Sequence, residues 1–283
     1  MEEKNRLEIF ATQIRLETMR EIAHLGFGHV GGSLSIVDIL AVLYSGAMRI
    51  DATNPHWKER DWLIVSKGHS GPAVYAALAL KDFFDIGWLK TLNQPKTNLP
   101  SHCDRNKTPG VDITTGSLGQ GISVATGVAL GNKLQGMDNT TYVIVGDGEC
   151  NEGQVWEAIM FASQHKLDNM ILLLDDNKEQ IDGYSKEIID LEDFTEKFEA
   201  FKWHAQRVDG HDVMALSQAI ENAKQTKGRP SAIVMDTIKG KGCICAEGQF
   251  GSHHMRLTRQ QIDDSIRVLE EKLALQRREG NEI

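Results

Sequence analysis

The sequence lacks the features that mark membrane, secreted and nucleic-acid-binding proteins. No run approaches a length of about 18 apolar residues, which a membrane-spanning helix requires. Residues 1–6 are polar, and no signal-like apolar stretch follows them. The 283 residues carry a net charge of −9, which argues against nucleic acid as a partner because phosphate neutralisation needs a basic surface. We therefore expect a cytoplasmic protein with neither a membrane nor a nucleic-acid partner.

Cysteine is scarce, with residues only at positions 103, 150, 243 and 245. Cys243 and Cys245 are separated by one residue, and no second pair at zinc-site spacing accompanies them. A metal site at this pair is therefore the weaker interpretation, and reduced, partly buried thiols are the favoured one.

Short apolar runs alternate with amphipathic segments, and no repeat or linker divides the chain. Helices are predicted at 5–25, 35–48 (capped by Ser33 or Ser35), 70–81, 118–135, 153–166 and 212–225. Buried strands are predicted at 62–66, 142–145, 170–174, 204–208 and 232–236. This alternation predicts an α/β fold with a doubly wound, mainly parallel sheet and helices on both faces. We expect one domain over 1–283, with a helical tail at about 257–278.

Polar residues follow the predicted strands, at the edge where such sheets bind ligands. The strand 142–145 leads into Gly146-Asp147-Gly148, and the next strand ends before Asn177. Glycine lets the backbone approach an anion, and oxygens of Asp147 and Asn177 suit the octahedral shell of Mg²⁺. The alternative for an isolated Gly-Asp-Gly is a strand-to-helix turn without a ligand. A dinucleotide fingerprint does not fit, because Asn151 stands where it requires glycine.

Residues 146–177 resemble the thiamine diphosphate motif, which opens in Gly-Asp-Gly and closes in Asn. Further segments narrow the resemblance to transketolases, and they lie at 28–33, 66–70, 115–121, 209–212 and 237–242. The resemblance implies a thiamine diphosphate-binding fold. It also implies transfer of a two-carbon ketol unit from a ketose, phosphorylated or otherwise anionic, to an aldose.

The resemblance implies roles for individual residues around the cofactor. Asp147, Asn177 and the carbonyl of Glu179 would hold Mg²⁺, or Ca²⁺ or Mn²⁺ in its place. The cofactor itself would contact His69, Gly116, Leu118, Gly146, Asp147, Gly148, Glu149, Asn177, Ile181 and His253. Ile181 would help to hold the two cofactor rings in their bent form. His253 is preferred over its neighbour His254.

Catalytic roles are implied for His29, His69, His102, His253, Glu152 and Glu157. His29 and His102 would line the substrate channel, where a side chain with a reference pKa near ~6.5 can donate hydrogen bonds or shuttle protons. The two glutamates would lie at a dimer contact and join a proton relay. Their alternative role is to complement the dipole at the start of a helix. The remaining histidines, including His211, are interpreted as structural.

One part of the family pattern is absent, namely the glutamate that activates the pyrimidine ring of the cofactor. It belongs to a second α/β domain, so either the chain is a fragment or a separate gene product supplies that domain. We expect the second case, with a C-terminal transketolase subunit as the partner within an α₂β₂ heterotetramer. Ser101-His102-Cys103 stands where the family has Gly-His-Pro, so the fixed φ of proline is lost. Two alternatives stay open: an enzyme like 1-deoxyxylulose-5-phosphate synthase, and a non-catalytic assembly subunit.

Overall fold

A five-stranded parallel sheet forms the centre of the fold. The computed structural model describes residues 1–281. Its strands are β1 (Phe27–Gly28), β2 (Trp62–Val65), β3 (Thr141–Gly146), β4 (Met170–Asp176), β5 (His204–Asp209), β6 (Ser231–Asp236) and β7 (Met255–Arg256). The central order is β2-β3-β4-β6-β5 with all neighbours parallel, and β1 pairs separately with β7 in antiparallel fashion. The predicted α/β class and the five predicted strands are confirmed.

Helices cover both faces of the sheet. They are α1 (Glu2–Leu25), α2 (Val30–Leu34), α3 (Val37–Val42, continued by a π-helical turn over Leu43–Ala47), α4 (Gly71–Leu80), α5 (Gln120–Leu134), α6 (Gly153–Gln164), α7 (Ser185–Ile188), α8 (Phe194–Ala200), α9 (Val213–Gln225) and α10 (Arg259–Asn281). Successive strand residues point to opposite faces. Ile144 and Leu173 pack in a core with α1, α3, α4 and α9. Val143 and Leu172 pack in a second core with α5, α6 and α8, which makes the sheet doubly wound.

The segment after β1 differs from the helix predicted over 35–48. It is divided between α2 and α3, and neither Ser33 nor Ser35 is the N-cap of a helix, since Ser33 lies inside α2 and Ser35 is its C-cap. The N-cap of α3 is Ile36, which forms no side-chain cap. The hydroxyl of Ser35 instead donates to the Asp175 carboxylate at 2.7 Å, because hydrogen bonds to an ionised group are roughly twice as strong as neutral ones.

The 18-residue segment Val30–Ala47 is long and apolar enough to cross a membrane, contrary to the expectation that no such run exists. Its mean hydropathy is 1.6, and 83% of it is buried inside the protein. A helix that is apolar on all sides is typical of a large core as well as of a membrane span. Since almost no face of this segment is left for lipid, the core accounts for its composition.

The tail of the chain forms α10, which packs along α1 and buries Ile262, Leu269 and Leu273. The predicted helical tail is therefore present. Residues 282–283 of the predicted domain lie outside the described residues, and the assignment of 1–283 to a single domain stays a prediction.

We predict opposite effects for two glycine-to-alanine substitutions in α5. A Cβ at Gly121 would lie 2.5 Å from Ser66 Oγ and 2.7 Å from its Cα, whereas a Cβ at Gly127 would meet no atom within 4 Å. Gly121→Ala should lower the free energy of unfolding by about 1–3 kcal/mol through overpacking. Gly127→Ala should raise it by about 0.5–1 kcal/mol through helix propensity. Urea unfolding of both variants measures the difference, and equal effects would contradict the close contact between α5 and the end of β2.

Candidate active site

The carboxyl ends of four strands converge on a cavity of about 160 Å³. Lys67 and His69 follow β2, Asp147 follows β3, Asn177 follows β4 and Lys239 follows β6. The predicted site residues in the cavity wall are His69, Leu118, Gly146, Asp147, Gly148, Glu149, Asn177, Glu179, Ile181 and His253. The wall also contains residues that were not predicted, namely Gly32, Lys67, Gln180, Asp182 and Lys239.

The buried carboxylate of Asp175 lies at the end of β4 and is fully hydrogen-bonded. It forms an ion pair with Lys67, whose side chain is only 2% exposed. It also accepts hydrogen bonds from Ser35 at 2.7 Å, Asn177 Nδ2 at 2.9 Å and Thr237 at 2.5 Å. Burial alone would raise the pKa of Asp175, but Lys67 and the hydrogen bonds outweigh it and hold the pKa below the usual range.

Oxygen atoms suited to a hard cation lie at the ends of β3 and β4, whose last paired residues are Gly146 and Asp175. The Nδ2 of Asn177 donates a hydrogen bond to Asp175, so the Oδ1 points away from Asp175. This Oδ1 accepts a hydrogen bond from the Glu179 N–H at 3.2 Å. Burial raises the pKa of Asp147 to about 6, so its ionised form is one that a nearby cation would stabilise. The geometry thus offers a carboxylate, an amide oxygen and a carbonyl, which is the donor chemistry that Mg²⁺ accepts.

The carbonyl of Glu179 already has a partner in this chain. Lys239 Nζ donates to it at 3.0 Å from across the cavity. Burial lowers the pKa of Lys239, an effect that nearby Glu179 partly opposes. Within residues 1–281, no cluster of three or more His, Cys, Asp and Glu side chains forms another candidate metal site.

Five histidines form one cluster beside the cavity, centred on His29. Its ring centroid lies 5.5 Å from His69, 5.3 Å from His102 and 4.7 Å from His254. His69 and His253 are 4.6 Å apart. Only His69 and His253 belong to the cavity wall, and His254 lies on the outer side against Phe27. This placement agrees with the choice of His253 over His254, although its role stays a prediction.

Burial keeps the inner histidines of the cluster, His29, His69 and His253, neutral. It lowers the pKa of His29 to about 4 and that of His253 to about 3, and neighbouring His and Lys side chains add to the effect. Burial and Lys67 lower the pKa of His69 in the same direction. A neutral imidazole has one N–H donor and one acceptor nitrogen, so the cluster can bind hydroxyl and phosphate oxygens through hydrogen bonds without adding charge.

Two glycines let the histidines approach the backbone closely. A Cβ on Gly32 would lie 2.8 Å from His69 Nε2, and a Cβ on Gly116 would lie 3.1 Å from His102 Cδ2. Gly116 also has a φ of 147°, which disfavours side chains. Gly116 is not in the cavity wall, and the structure places it beside His102.

The carboxylate of Glu149 lies in the cavity wall and joins three loops. It accepts hydrogen bonds from the Ser66 hydroxyl, from Gly119 N at 2.8 Å and from Gly146 N at 3.1 Å. A buried carboxylate requires such donors. The structure therefore gives this side chain a role in holding the loops together, and its contact with the cofactor stays a prediction.

Glu152 and Glu157 lie outside the cavity and are exposed at the start of α6. Glu152 approaches Gly119, whose added Cβ would lie 3.1 Å from the Cβ of Glu152. Glu157 shares an exposed helix face with Met160 and Phe161, which are 49% and 41% exposed. The structure does not bring either glutamate to the histidine cluster.

Sequence reasoning missed four polar side chains in the cavity wall, namely Lys67, Gln180, Asp182 and Lys239. Lys67 and Lys239 lie within the motifs 66–70 and 237–242. Each follows a buried parallel strand, where ligands bind, and this position could have identified them. Gln180 had no such signal. Its Cγ lies 2.8 Å from the Cβ that Gly148 lacks, and its Nε2 has no hydrogen-bond partner within the described part of the chain.

Comparison with known proteins gives a consistent result. Residues 7–279 match the family described as "Transketolase, thiamine diphosphate binding domain". The 6-deoxy-6-sulfo-D-fructose transketolase subunit SqwG of Clostridium sp. (strain MSTE9) is 53% identical over 262 residues, covering 93% of this chain and 95% of that protein. A subunit of the apulose-4-phosphate transketolase of Phocaeicola vulgatus is 32% identical, with 97% of this chain and 98% of that protein covered.

Solved structures agree with these sequence matches. Transketolase from Campylobacter jejuni superimposes with a TM-score of 0.87 at 31% identity. The alignment covers 95% of this chain but 42% of that enzyme. The chain therefore spans less than half the length of this structural relative.

We predict that the histidine cluster makes the protein less stable in mild acid. The pKa values of His29 and His253 are lower in the folded chain than the ordinary value of about 6.5. The stability that these two neutral histidines contribute is complete above about pH 6.5. It is lost as the pH falls toward their pKa values in the folded chain, since the unfolded state binds the extra protons. The difference in melting temperature between pH 7 and pH 5 should shrink in a His29→Gln/His253→Gln variant.

The control for this experiment is His56→Gln, because His56 is exposed. This variant should keep the pH dependence of the unsubstituted protein. Parallel curves for the double variant and the unsubstituted protein would contradict the burial of neutral imidazoles in the cluster.

Proposed function

We propose that this chain, which belongs to the transketolase family as a thiamine diphosphate-binding domain, acts in a ketol transferase built from two different chains. It would form one of the two kinds of subunit. The transketolase resemblance of the motifs is thereby confirmed. The observation that carries the proposal is the convergence of Asp147, Asn177, Lys67, Lys239 and a pair of neutral histidines on one cavity at the strand ends.

The cavity fits the diphosphate of the cofactor. Lys239 provides positive charge, Lys67 lines the same wall but is paired with Asp175, and His69 and His253 provide neutral hydrogen-bond donors. Gly148 begins a turn of 3₁₀ helix directly after β3, where backbone N–H groups favour anions. A side chain at Gly148 would collide with Gln180, so glycine keeps this wall open to a phosphate.

We propose Mg²⁺, with Ca²⁺ or Mn²⁺ as substitutes, as the ion that joins the diphosphate to this chain. Asp147, the Oδ1 of Asn177 and the carbonyl of Glu179 would hold it. Lys239 would then exchange its hydrogen bond to Glu179 for one to a phosphate oxygen, since an ammonium and a metal ion compete for the same carbonyl.

When bound, thiamine diphosphate supplies carbanion stabilisation and the electron sink for breaking the C2–C3 bond of a ketose. The residues of this chain hold and orient the reactants. His29 and His102 lie next to each other beside the cavity wall and would donate hydrogen bonds to the carbonyl and hydroxyl oxygens of the sugar. Because burial lowers the pKa of both imidazoles, they can also accept a proton from a hydroxyl and return it.

We propose that a partner subunit supplies the activating glutamate. Two relatives of nearly equal length are named as subunits, and the chain covers 42% of the Campylobacter enzyme. The partner would also cover Ile181, which is 65% exposed although it lines the cavity. Within an α₂β₂ heterotetramer, the exposed face of α6 that carries Glu157, Met160 and Phe161 would form the contact between two copies of this chain.

We propose an anionic ketose as the donor substrate and a cytoplasmic location for the enzyme. The relative with 53% identity is named for 6-deoxy-6-sulfo-D-fructose, so a sulfonated ketose is the first donor to test. A ketose phosphate is the second, because sulfonate and phosphate are both tetrahedral anions. We propose that the residues that choose between them belong to the partner.

Replacing Asp147 should remove metal-dependent cofactor binding. Asp147→Ala takes away the only charged ligand proposed for the ion, so titration of the chain with thiamine diphosphate and Mg²⁺ in a calorimeter should show no binding. Glu187→Ala is the matched control, because Glu187 is an exposed acid on α7, beside the Ser185 that donates to Asp147. Unchanged binding by Asp147→Ala would contradict the metal assignment.

The activity itself should require both chains. The chain mixed with its partner, Mg²⁺ and thiamine diphosphate should transfer a ketol unit from 6-deoxy-6-sulfo-D-fructose or a ketose phosphate to an aldose, and either chain alone should not. Chromatography of the product sugars measures the transfer. Consumption of pyruvate without ketol transfer would identify a synthase-type reaction instead and contradict the proposal.

A further inference from the structure

The segment 239–248 forms a closed loop, here called the cysteine loop, between β6 and the histidine cluster. Gly248 N donates to Lys239 O at 2.9 Å and so joins the two ends of the loop. Gly240 N donates to Gly31 O at 3.1 Å, which ties the loop to the segment that carries His29. The first residue of the loop is the Lys239 that reaches into the cavity, so the shape of the loop sets the position of that ammonium group.

Two thiols face each other inside this loop. Cys243 Sγ lies 3.5 Å from Cys245 Sγ, and a disulfide bond is about 2.05 Å long, so roughly 1.5 Å of movement would close the bond. Cys243 is buried, whereas Cys245 is partly accessible. The intervening Ile244 is 57% exposed, which leaves space for the turn to rearrange. The other two cysteines of the chain, Cys103 and Cys150, are buried elsewhere.

We propose that Cys243 and Cys245 form a reversible disulfide that displaces Lys239 and weakens binding of the cofactor. A low-molecular-weight disulfide is the oxidant. The Cys245 thiol loses its proton and attacks one sulfur of the oxidant, which releases one small thiol. Cys243 then loses its proton and attacks Cys245 Sγ, which releases the second. Two electrons pass from the protein thiols to the oxidant, and a dithiol reductant reverses the reaction.

Backbone hydrogen bonds couple the dithiol to Lys239. The carbonyl of Cys243 accepts from Ala246 N at 3.0 Å and Glu247 N at 2.8 Å, and Cys243 N donates to Gly240 O at 3.0 Å. A Cβ on Gly240 would lie 2.5 Å from the carbonyl oxygen of Ala246, so the backbone of Gly240 is in close contact with the far side of the turn. A bond between residues two apart requires new backbone dihedrals in this turn, and the change passes through Gly240 to Lys239.

The reduced state is slow to react at neutral pH. Burial and the neighbouring Cys243 raise the pKa of the Cys245 thiol to about 11, and only the thiolate is nucleophilic. The rate of disulfide formation should therefore increase about tenfold per pH unit between pH 7 and pH 9. This makes the dithiol a sensor of sustained oxidation instead of a rapidly exchanging pair.

Mass spectrometry of the full chain tests the site directly. Treatment with oxidised glutathione should remove two hydrogen atoms, and peptide mapping should place the bond between Cys243 and Cys245. Cys103→Ser should behave like the unsubstituted chain. Cys245→Ser and Cys243→Ala should each lose this mass change, so the test stands even if one of them folds poorly. A stable glutathione adduct on Cys245 without a disulfide would overturn the proposal.

Calorimetry tests the coupling, which rests on the proposed function. Affinity for thiamine diphosphate with Mg²⁺ should fall about tenfold or more on oxidation, the size of one weakened charge-assisted hydrogen bond, and dithiothreitol should restore it. Equal affinity in both states would overturn the coupling. A reduced chain that binds no cofactor would instead contradict the proposed function, and trypsin cleavage at Lys241 in the two states would still report whether the loop moves.

Discussion

The buried ion pair between Lys67 and Asp175 holds the ends of the strands together. Ion pairs away from water are stable only when their remaining hydrogen-bonding positions are filled, and here Ser35, Asn177 and Thr237 fill them. These five residues come from the ends of β2, β4 and β6 and from the junction of α2 and α3. Loss of the carboxylate would release the Asn177 amide as well as Lys67, so the orientation of the proposed metal ligand depends on a residue that touches no ligand.

The same ion pair explains how a chain of net charge −9 presents a cavity for an anion. Asp175 neutralises Lys67 in place, while the inner histidines stay uncharged because they are buried. Lys239 is therefore the main cation that the cavity wall offers to an anion. Asp147, Glu179 and Asp182 place carboxyl groups in the same wall, an arrangement that suits a metal ion bound together with a diphosphate.

The sheet, its flanking helices and the family were predictable, because buried parallel strands need nearly continuous apolar runs and the motifs follow those runs in order. The roles of individual side chains were harder to predict. Ser33 or Ser35 was predicted to cap a helix, but the hydroxyl of Ser35 donates to Asp175, which is 140 residues away in the sequence. The hydrogen bonds that the Glu149 carboxylate accepts from Gly119 and Gly146 could not be predicted either. A polar side chain has a choice of partners, and only tertiary contacts decide between them.

The exposure of Ile181 shows why this wall is only part of a site. Ile181 is 65% exposed and lines the same cavity as Asp147, whose pKa is raised by burial. Ile181 therefore lies at the boundary between water and a partly dehydrated cavity. Electrostatic interactions strengthen when water is excluded, so the charges of Lys239 and Asp147 act at full strength only once that boundary is covered. The loop after β4 is therefore the place where the proposed partner subunit would cover the cavity, and the residues described here would bind the diphosphate end of the cofactor beneath that cover.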